Sequence, residues 1–296
     1  MSEPRYTILT DSTCDLPSEY LQELGVEVVA LSFTLNGVTK MDSQSQADQL
    51  GTGAMRDFYN KLREGGHATT SQISIQHYLE KIGALLETSD VIYLAFSSGL
   101  SGSYHSACAA AMELREKYPN RTLYVVDTKA ASMGEGLMVT HAAQKRDAGV
   151  DIHALKKWVE DSWQTYCHLV TVDNLHHLRA GGRISATTEF IGSILDIKPM
   201  IQMDLEGHLN ANGKERGRKR ALRRIVEQVK ADIVDPKSQI IYMCQGDCLE
   251  DAALVKEMLI SEVGVIDVRI GYAGPVIGSH TGPGVIAIFF TGKNRK

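Results

Sequence analysis

The sequence predicts an α/β protein of two domains, an N-terminal doubly wound parallel sheet and a C-terminal mixed α/β domain. Three observations predict it. Short apolar runs alternate with helical stretches through the first half, the order that builds a parallel sheet. The apolar run Val91–Phe96 breaks into a Ser/Gly loop, Ser97–Ser103, and then into an Ala-rich helical stretch, as a buried parallel strand does. The second half mixes strands, short helices and a hairpin-type turn at Glu206-Gly207 less regularly. The division falls near Asp161, giving residues 1–160 and 161–296.

Taken in order, Tyr6–Leu9 reads as a strand ending in the hydroxyls of Thr10-Asp11-Ser12-Thr13. Pro17 opens a helix through Leu24, because proline fits a first helical position. Val26–Leu31 is the second strand. Leu35–Leu50 is polar and reads as irregular, with a turn at Asn36-Gly37. Met55–Leu62 is amphipathic. Ala68–Ser74 reads as a hydroxyl-rich loop whose Ser74 caps a helix through Leu86. After the central strand come a strand at Leu123–Val126, a helix at Gly134–Ala148 stopped by Gly149, and a helix at Asp151–Ser162. Further strands are expected at Cys167–Val172, Lys198–Met203, Gln239–Cys244, Val265–Ile270 and Val285–Phe290. Helices are expected at Asn174–Arg179, from Ser185, at Arg220–Ala231 and at Glu250–Leu259.

Composition narrows the function classes. The chain has 296 residues, 43% of them hydrophobic, and a formal net charge of −5, which argues against a nucleic-acid partner. Its five cysteines include no C-x-x-C pair, so neither a disulfide framework nor a structural zinc site is expected, and a reducing cytoplasm fits. The N-terminus has no secretory apolar region. No apolar run approaches the ~20 residues of a membrane span.

The chemistry-bearing residues cluster at strand ends. Ser97 and Ser98 follow the central strand, where backbone N–H groups and a helix N-terminus favour anions. Thr70 and Ser71 sit in a second hydroxyl-rich stretch. Several hydroxyl donors converging on one point suit a carboxylate or phosphate; ordinary turn and capping chemistry uses the same residues. His280 lies between Gly278 and Gly282-Pro283-Gly284, where backbone can approach a ligand closely. It reads either as an anion donor or as a plain turn histidine. Lys214–Arg220 with Arg223-Arg224 is a basic cluster, read as a solvated helix face, a docking patch for an acidic partner or a site reaching phosphate. Arg179 and Arg183 flank a Gly-Gly turn, where arginine can clamp phosphate bidentately or stand as plain surface charge. The serine-hydrolase pattern G-x-S-x-G fails, because Gly99-Leu100-Ser101-Gly102-Ser103 ends in serine. The P-loop and dinucleotide patterns are absent. His176-His177 point in different directions if helical, and Cys244 and Cys248 lack partners, so no metal site is expected.

These stretches together resemble the DegV family, bacterial fatty-acid-binding proteins of the fatty acid kinase system. The matching segments are TDSTCDLP from Thr10, TSQIS from Thr70, FSSGLSGSYHSA from Phe96, VDTKAASMGEGL from Val126, LRAGGRIS from Leu178, IKPMIQMDLEGHL from Ile197 and GSHTGPG from Gly278. The resemblance implies a long-chain fatty acid as bound ligand and no cofactor. Its carboxylate would be held by Thr70, Ser71, Ser97, Ser98 and His280. It implies a binding protein, not an enzyme, that presents the ligand to a separate ATP-dependent fatty acid kinase, with Arg183 and Arg216 engaging that kinase. Acyl phosphate for phospholipid synthesis would be the outcome, with transient membrane-surface contact for lipid exchange. The rival class is a hydrolase or transferase acting on a small carboxylate or phosphate substrate. Three departures stand out. Ile73 follows Gln72 where the family often has proline, residues 37–53 carry Gln and Ser where acidic and aromatic residues are common, and the strand after GSHTGPG ends in Ile288-Phe289-Phe290, bulkier than usual.

Overall fold

A computed structural model of the chain describes residues 6–42, 53–184 and 196–295. The first half runs β1 (Tyr6–Asp11), α1 (Ser18–Glu23), β2 (Val26–Val29), β3 (Ser32–Leu35), β4 (Val38–Met41), α2 (Ala54–Arg63), β5 (Ala68–Ser71) and α3 (Ile75–Leu86). It continues with β6 (Asp90–Ala95), α4 (Ser103–Lys117), β7 (Leu123–Asp127), α5 (Met133–Asp147) and α6 (Ile152–Ser162). The second half is β8 (Tyr166–Thr171), α7 (His176–Ala180), β9 (Ile197–Met203), β10 (Leu209–Arg216), α8 (Arg218–Asp232), β11 (Ile240–Gln245), α9 (Leu249–Met258), β12 (Asp267–Tyr272), α10 (Pro275–Thr281) and β13 (Ile286–Thr291).

The expected parallel sheet is present, in the order β2-β1-β6-β7. Its connections leave β1 in opposite directions, so the crevice between the carboxyl ends of β1 and β6 is the switch point where ligands gather in open α/β sheets. Asp11, at the end of β1, closes it. Its carboxylate accepts from Tyr93 Oη at 2.7 Å, Phe96 N at 3.1 Å and Thr13 N at 3.1 Å. Behind it, buried Glu135 accepts from Thr10 and Thr13 hydroxyls. Burial pushes both carboxyls up, and the donated hydrogen bonds are what such burial requires.

The second sheet has six strands, β10-β9-β8-β13-β11-β12, antiparallel except for the β11–β12 pair. Helix α5 is buried along nearly its whole length and packs in one core with residues of both sheets, among them Ile8, Ile92, Val170, Tyr242 and Ala287. Its first turn needs glycine at Gly134, because a Cβ there would meet Phe289 Cδ1 at 2.6 Å.

Three expectations are corrected. The stretch after Leu35 is not wholly irregular: Asn36-Gly37, both at positive φ, turn β3 into β4, as a two-residue hairpin requires. Ala68–Ser71 is a strand, not a loop, and completes an antiparallel sheet β4-β3-β5. Lys214 and Arg216 lie exposed on strand β10, and the helix begins only at Arg218. Most of the atypical 37–53 segment and the helix expected from Ser185 lie outside the described residues.

Candidate functional site

A cavity of about 430 Å³ lies between the ends of β5 and β6, helix α10 and the six-stranded sheet. That volume falls in the range of small-molecule sites, about 300–1,000 Å³. Most of its wall is apolar, including Phe96, Leu100, Val170, Met203, Ala287 and Phe289. The register pairs Val170 with Ala287 and His168 with Phe289. Within a strand, alternate residues share a face, so these four pave one patch of floor. The His168 and Phe289 rings meet edge to face at 5.0 Å. His168 is polar but engaged: Nε2 accepts from Ala131 N at 3.2 Å, and Nδ1 lies 2.9 Å from Tyr166 O.

The polar end is built from segments remote in sequence. Strand β5 brings Thr70, held by pairing of Phe33 with Thr70 across β3–β5. Helix α10 brings His280 in its last turn, before Gly282 ends the helix at φ +74°. Thr70 Oγ1 and His280 Nε2 are 2.8 Å apart. Nδ1 of the same ring is buried without a hydrogen-bond partner among the described residues and faces Gly181, where a Cβ would collide with it. A buried N–H with no acceptor is tolerated less than an unused lone pair. The proton therefore belongs on Nε2, donated to Thr70, which leaves the Thr70 hydroxyl hydrogen free for a ligand. Burial first, then the charges of Arg183 and His177, hold the His280 imidazole down at about 4, so it is neutral at pH 7.

Arg183 also lines the cavity. Its Nε donates to Leu100 O at 3.0 Å and its Nη1 to Gly181 O. Burial lowers its pKa, yet no acid pairs with it among the described residues, and no Asp or Glu lines the cavity. The field at this end is positive.

Of the other expected ligand residues, Ser71 lines the cavity and is exposed at its mouth. Ser97 and Ser98 do not belong to the lining. Ser97 is buried, donating to Gly207 O at 2.8 Å and accepting from Gly99 N at 3.2 Å. Ser98 Oγ accepts from Lys129 Nζ at 3.0 Å. Both brace the loop after β6 against the β9–β10 hairpin, and the loop reaches the cavity through Leu100, Ser101 and Gly102. Arg216 stands apart, exposed at the end of β10. Residue-level reading missed Ser101 and Gln72 as lining residues, although both lie in the stretches it singled out. Gly102 puts the N-terminus of α4 at the cavity, with the partial positive charge of a 15-residue helix.

Among the described residues no group of three His, Cys, Asp or Glu side chains is placed to hold a metal. No helix among them is long and apolar enough to cross a membrane.

Comparison with known proteins agrees with this architecture. The sequence model described as "Uncharacterised protein, DegV family" matches residues 5–293. A DegV domain-containing protein of Clostridium perfringens is 40% identical over 294 residues, 99% of each chain. Among solved structures, a DegV family protein from Thermus thermophilus, titled for its fatty acid binding, is 31% identical with a TM-score of 0.84, covering 97% of this chain and 99% of that one. DegV of Bacillus subtilis, described as a fatty acid binding protein, is 26% identical with a TM-score of 0.81, covering 98% and 100%. From its sequence, its fold and these relatives, the chain belongs to the DegV family.

Proposed function

We propose that the protein binds one long-chain fatty acid in this cavity and presents its carboxylate to a separate ATP-dependent kinase. One observation carries the reading. An apolar cavity ends in a positive polar cluster, Thr70–His280 beside Arg183, that no acid lines among the described residues. Each buried CH₂ contributes about 0.8 kcal/mol, so an acyl chain needs no dedicated motif. A carboxylate at the polar end takes the Thr70 hydroxyl hydrogen and the Arg183 charge, with Ser71 at the mouth. Ser97 and Ser98 contribute by holding the loop that carries Ser101 and the α4 N-terminus.

The pair Thr70–His280 has the spacing of a nucleophile and base, and it argues for binding all the same. In a hydrolase the base is oriented by a third group, usually an acid. Here Nδ1 faces Gly181 instead, and Nε2 carries the proton. The proposed role is therefore binding without catalysis, with no cofactor proposed; a cytoplasmic location is proposed on the five free cysteines. Arg216 and the exposed basic residues at the start of α8 are the proposed kinase-facing surface. Arg183 serves the head group from within the lining.

The test is to purify the full chain from cells, denature it and analyse the extract by mass spectrometry. Near-stoichiometric free fatty acid is expected. Protein that emerges empty and refuses fatty acid offered afterwards refutes the reading and moves a small polar anion to the front.

A further inference from the structure

The three residues at the head of the cavity have a second face. Thr70, Arg183 and His280 also line a groove of about 410 Å³ between the α2–β5 connection and α7. Its outer wall carries His67, His176 and His177, and again no Asp or Glu among the described residues. The His176 and His177 rings stand nearly perpendicular, 5.4 Å apart. His177 is half-buried against Gly282, where a Cβ would clash with the ring. Arg183 makes its two hydrogen bonds through Nε and Nη1; Nη2 makes none with a described residue. One guanidinium with no acid partner among the described residues thus serves two spaces that no described Asp or Glu lines, in a chain of net charge −5.

Separate anions on the two sides of one guanidinium repel each other. A single head group that spans the partition does not meet that penalty. A phosphoryl group fits the outer side, because it brings more than one negative charge and three acceptor oxygens to arginine and imidazole donors. We infer that the histidine-lined groove is a phosphoryl subsite, which takes the phosphate of an acyl phosphate whose chain fills the cavity. The inference rests on the fatty-acid reading of that cavity. It assigns His177 and His67 a role that a carboxylate ligand never uses.

The experiment compares two ligands on the delipidated full chain, by competition against a fluorescent fatty acid. One is palmitate. The other is the methylene phosphonate analogue of palmitoyl phosphate, in which CH₂ replaces the bridging oxygen. Wild-type protein is expected to hold the phosphonate at least as tightly as palmitate. The double variant His67→Ala/His177→Asn is expected to weaken the phosphonate about tenfold, or 1.4 kcal/mol, while palmitate stays within about twofold. Ala180→Trp, at an exposed position of the groove wall, tests the same point without disturbing the core: it should block the phosphonate and spare palmitate. Equal losses for both ligands, no loss for either, or a phosphonate that does not compete with wild type overturns the inference while leaving the fatty-acid reading intact. Failure of palmitate itself on wild type overturns both.

Discussion

At the scale of single residues, the site depends on where one proton sits. His280 donates through Nε2, so Thr70 can pass a hydrogen bond on to a ligand. Thr70→Val keeps the shape and removes the relay. We expect fatty-acid affinity to fall about 10- to 100-fold, the value of a hydrogen bond to a charged group, measured by the same competition assay. Unchanged affinity would place the head group elsewhere. The titration of His280 gives an independent reading. In the empty protein the ring is neutral above about 4. A carboxylate beside it favours the charged form and raises that value. Between the two values the loaded protein then holds more proton than the empty one, so affinity rises as pH falls through that window. Imidazole NMR titration with and without ligand checks this; identical titration in both states would separate His280 from the carboxylate.

At the scale of elements, legibility in the sequence followed burial. Most strands of the two large sheets stood out because their cores are apolar runs: Val91–Ala95 is buried throughout, as is Tyr166–Thr171; β10 was missed, because none of its residues is fully buried and it carries part of the basic cluster. The small sheet did not, because β4 is exposed at every position and β5 is Ala-Thr-Thr-Ser with alternate residues outside. Such strands carry no apolar pattern, and pairing partners make them. The site was legible as separate hydroxyl and glycine stretches, but the 210-residue separation of Thr70 and His280 hid their contact from any local rule, and only resemblance joined them. That Ser97 and Ser98 turn away from the cavity was equally hidden, since Ser97 is held by Gly207 on a distant hairpin and Ser98 by Lys129. The element contact that holds the site is α7 against α10, through Gly181. Gly181→Ala puts a methyl into the His280 ring. It is expected to break the Thr70–His280 bond and to weaken fatty acid to the level of Thr70→Val, with a stability loss of about 1–3 kcal/mol for overpacking by urea denaturation. Wild-type affinity in that variant would show that the ring position is not what binds.

At the scale of the whole molecule, the cavity belongs to neither half alone. Leu31, Thr70 and Phe96 come from one side of residue 160, and Val170, Met203 and Phe289 from the other. We propose that residues 1–160 and 161–296 are two domains whose shared core and shared cavity make one cooperative unit. A ligand that binds only the docked arrangement stabilises both by mass action, about 2.7 kcal/mol at a hundredfold excess over Kd. In a chain of this size each kcal/mol raises Tm by roughly 2 °C or somewhat more, so loading with palmitate is expected to move a single calorimetric transition up by about 5 °C. Ala287→Phe, in the floor of the cavity beside Val170, should abolish that shift, because the ring occupies the space of the acyl chain while the polar end stays intact. Two transitions, of which palmitate moves only one, would assign the ligand to a single domain. The positive cluster would then be the mouth of that domain and not the seam between two.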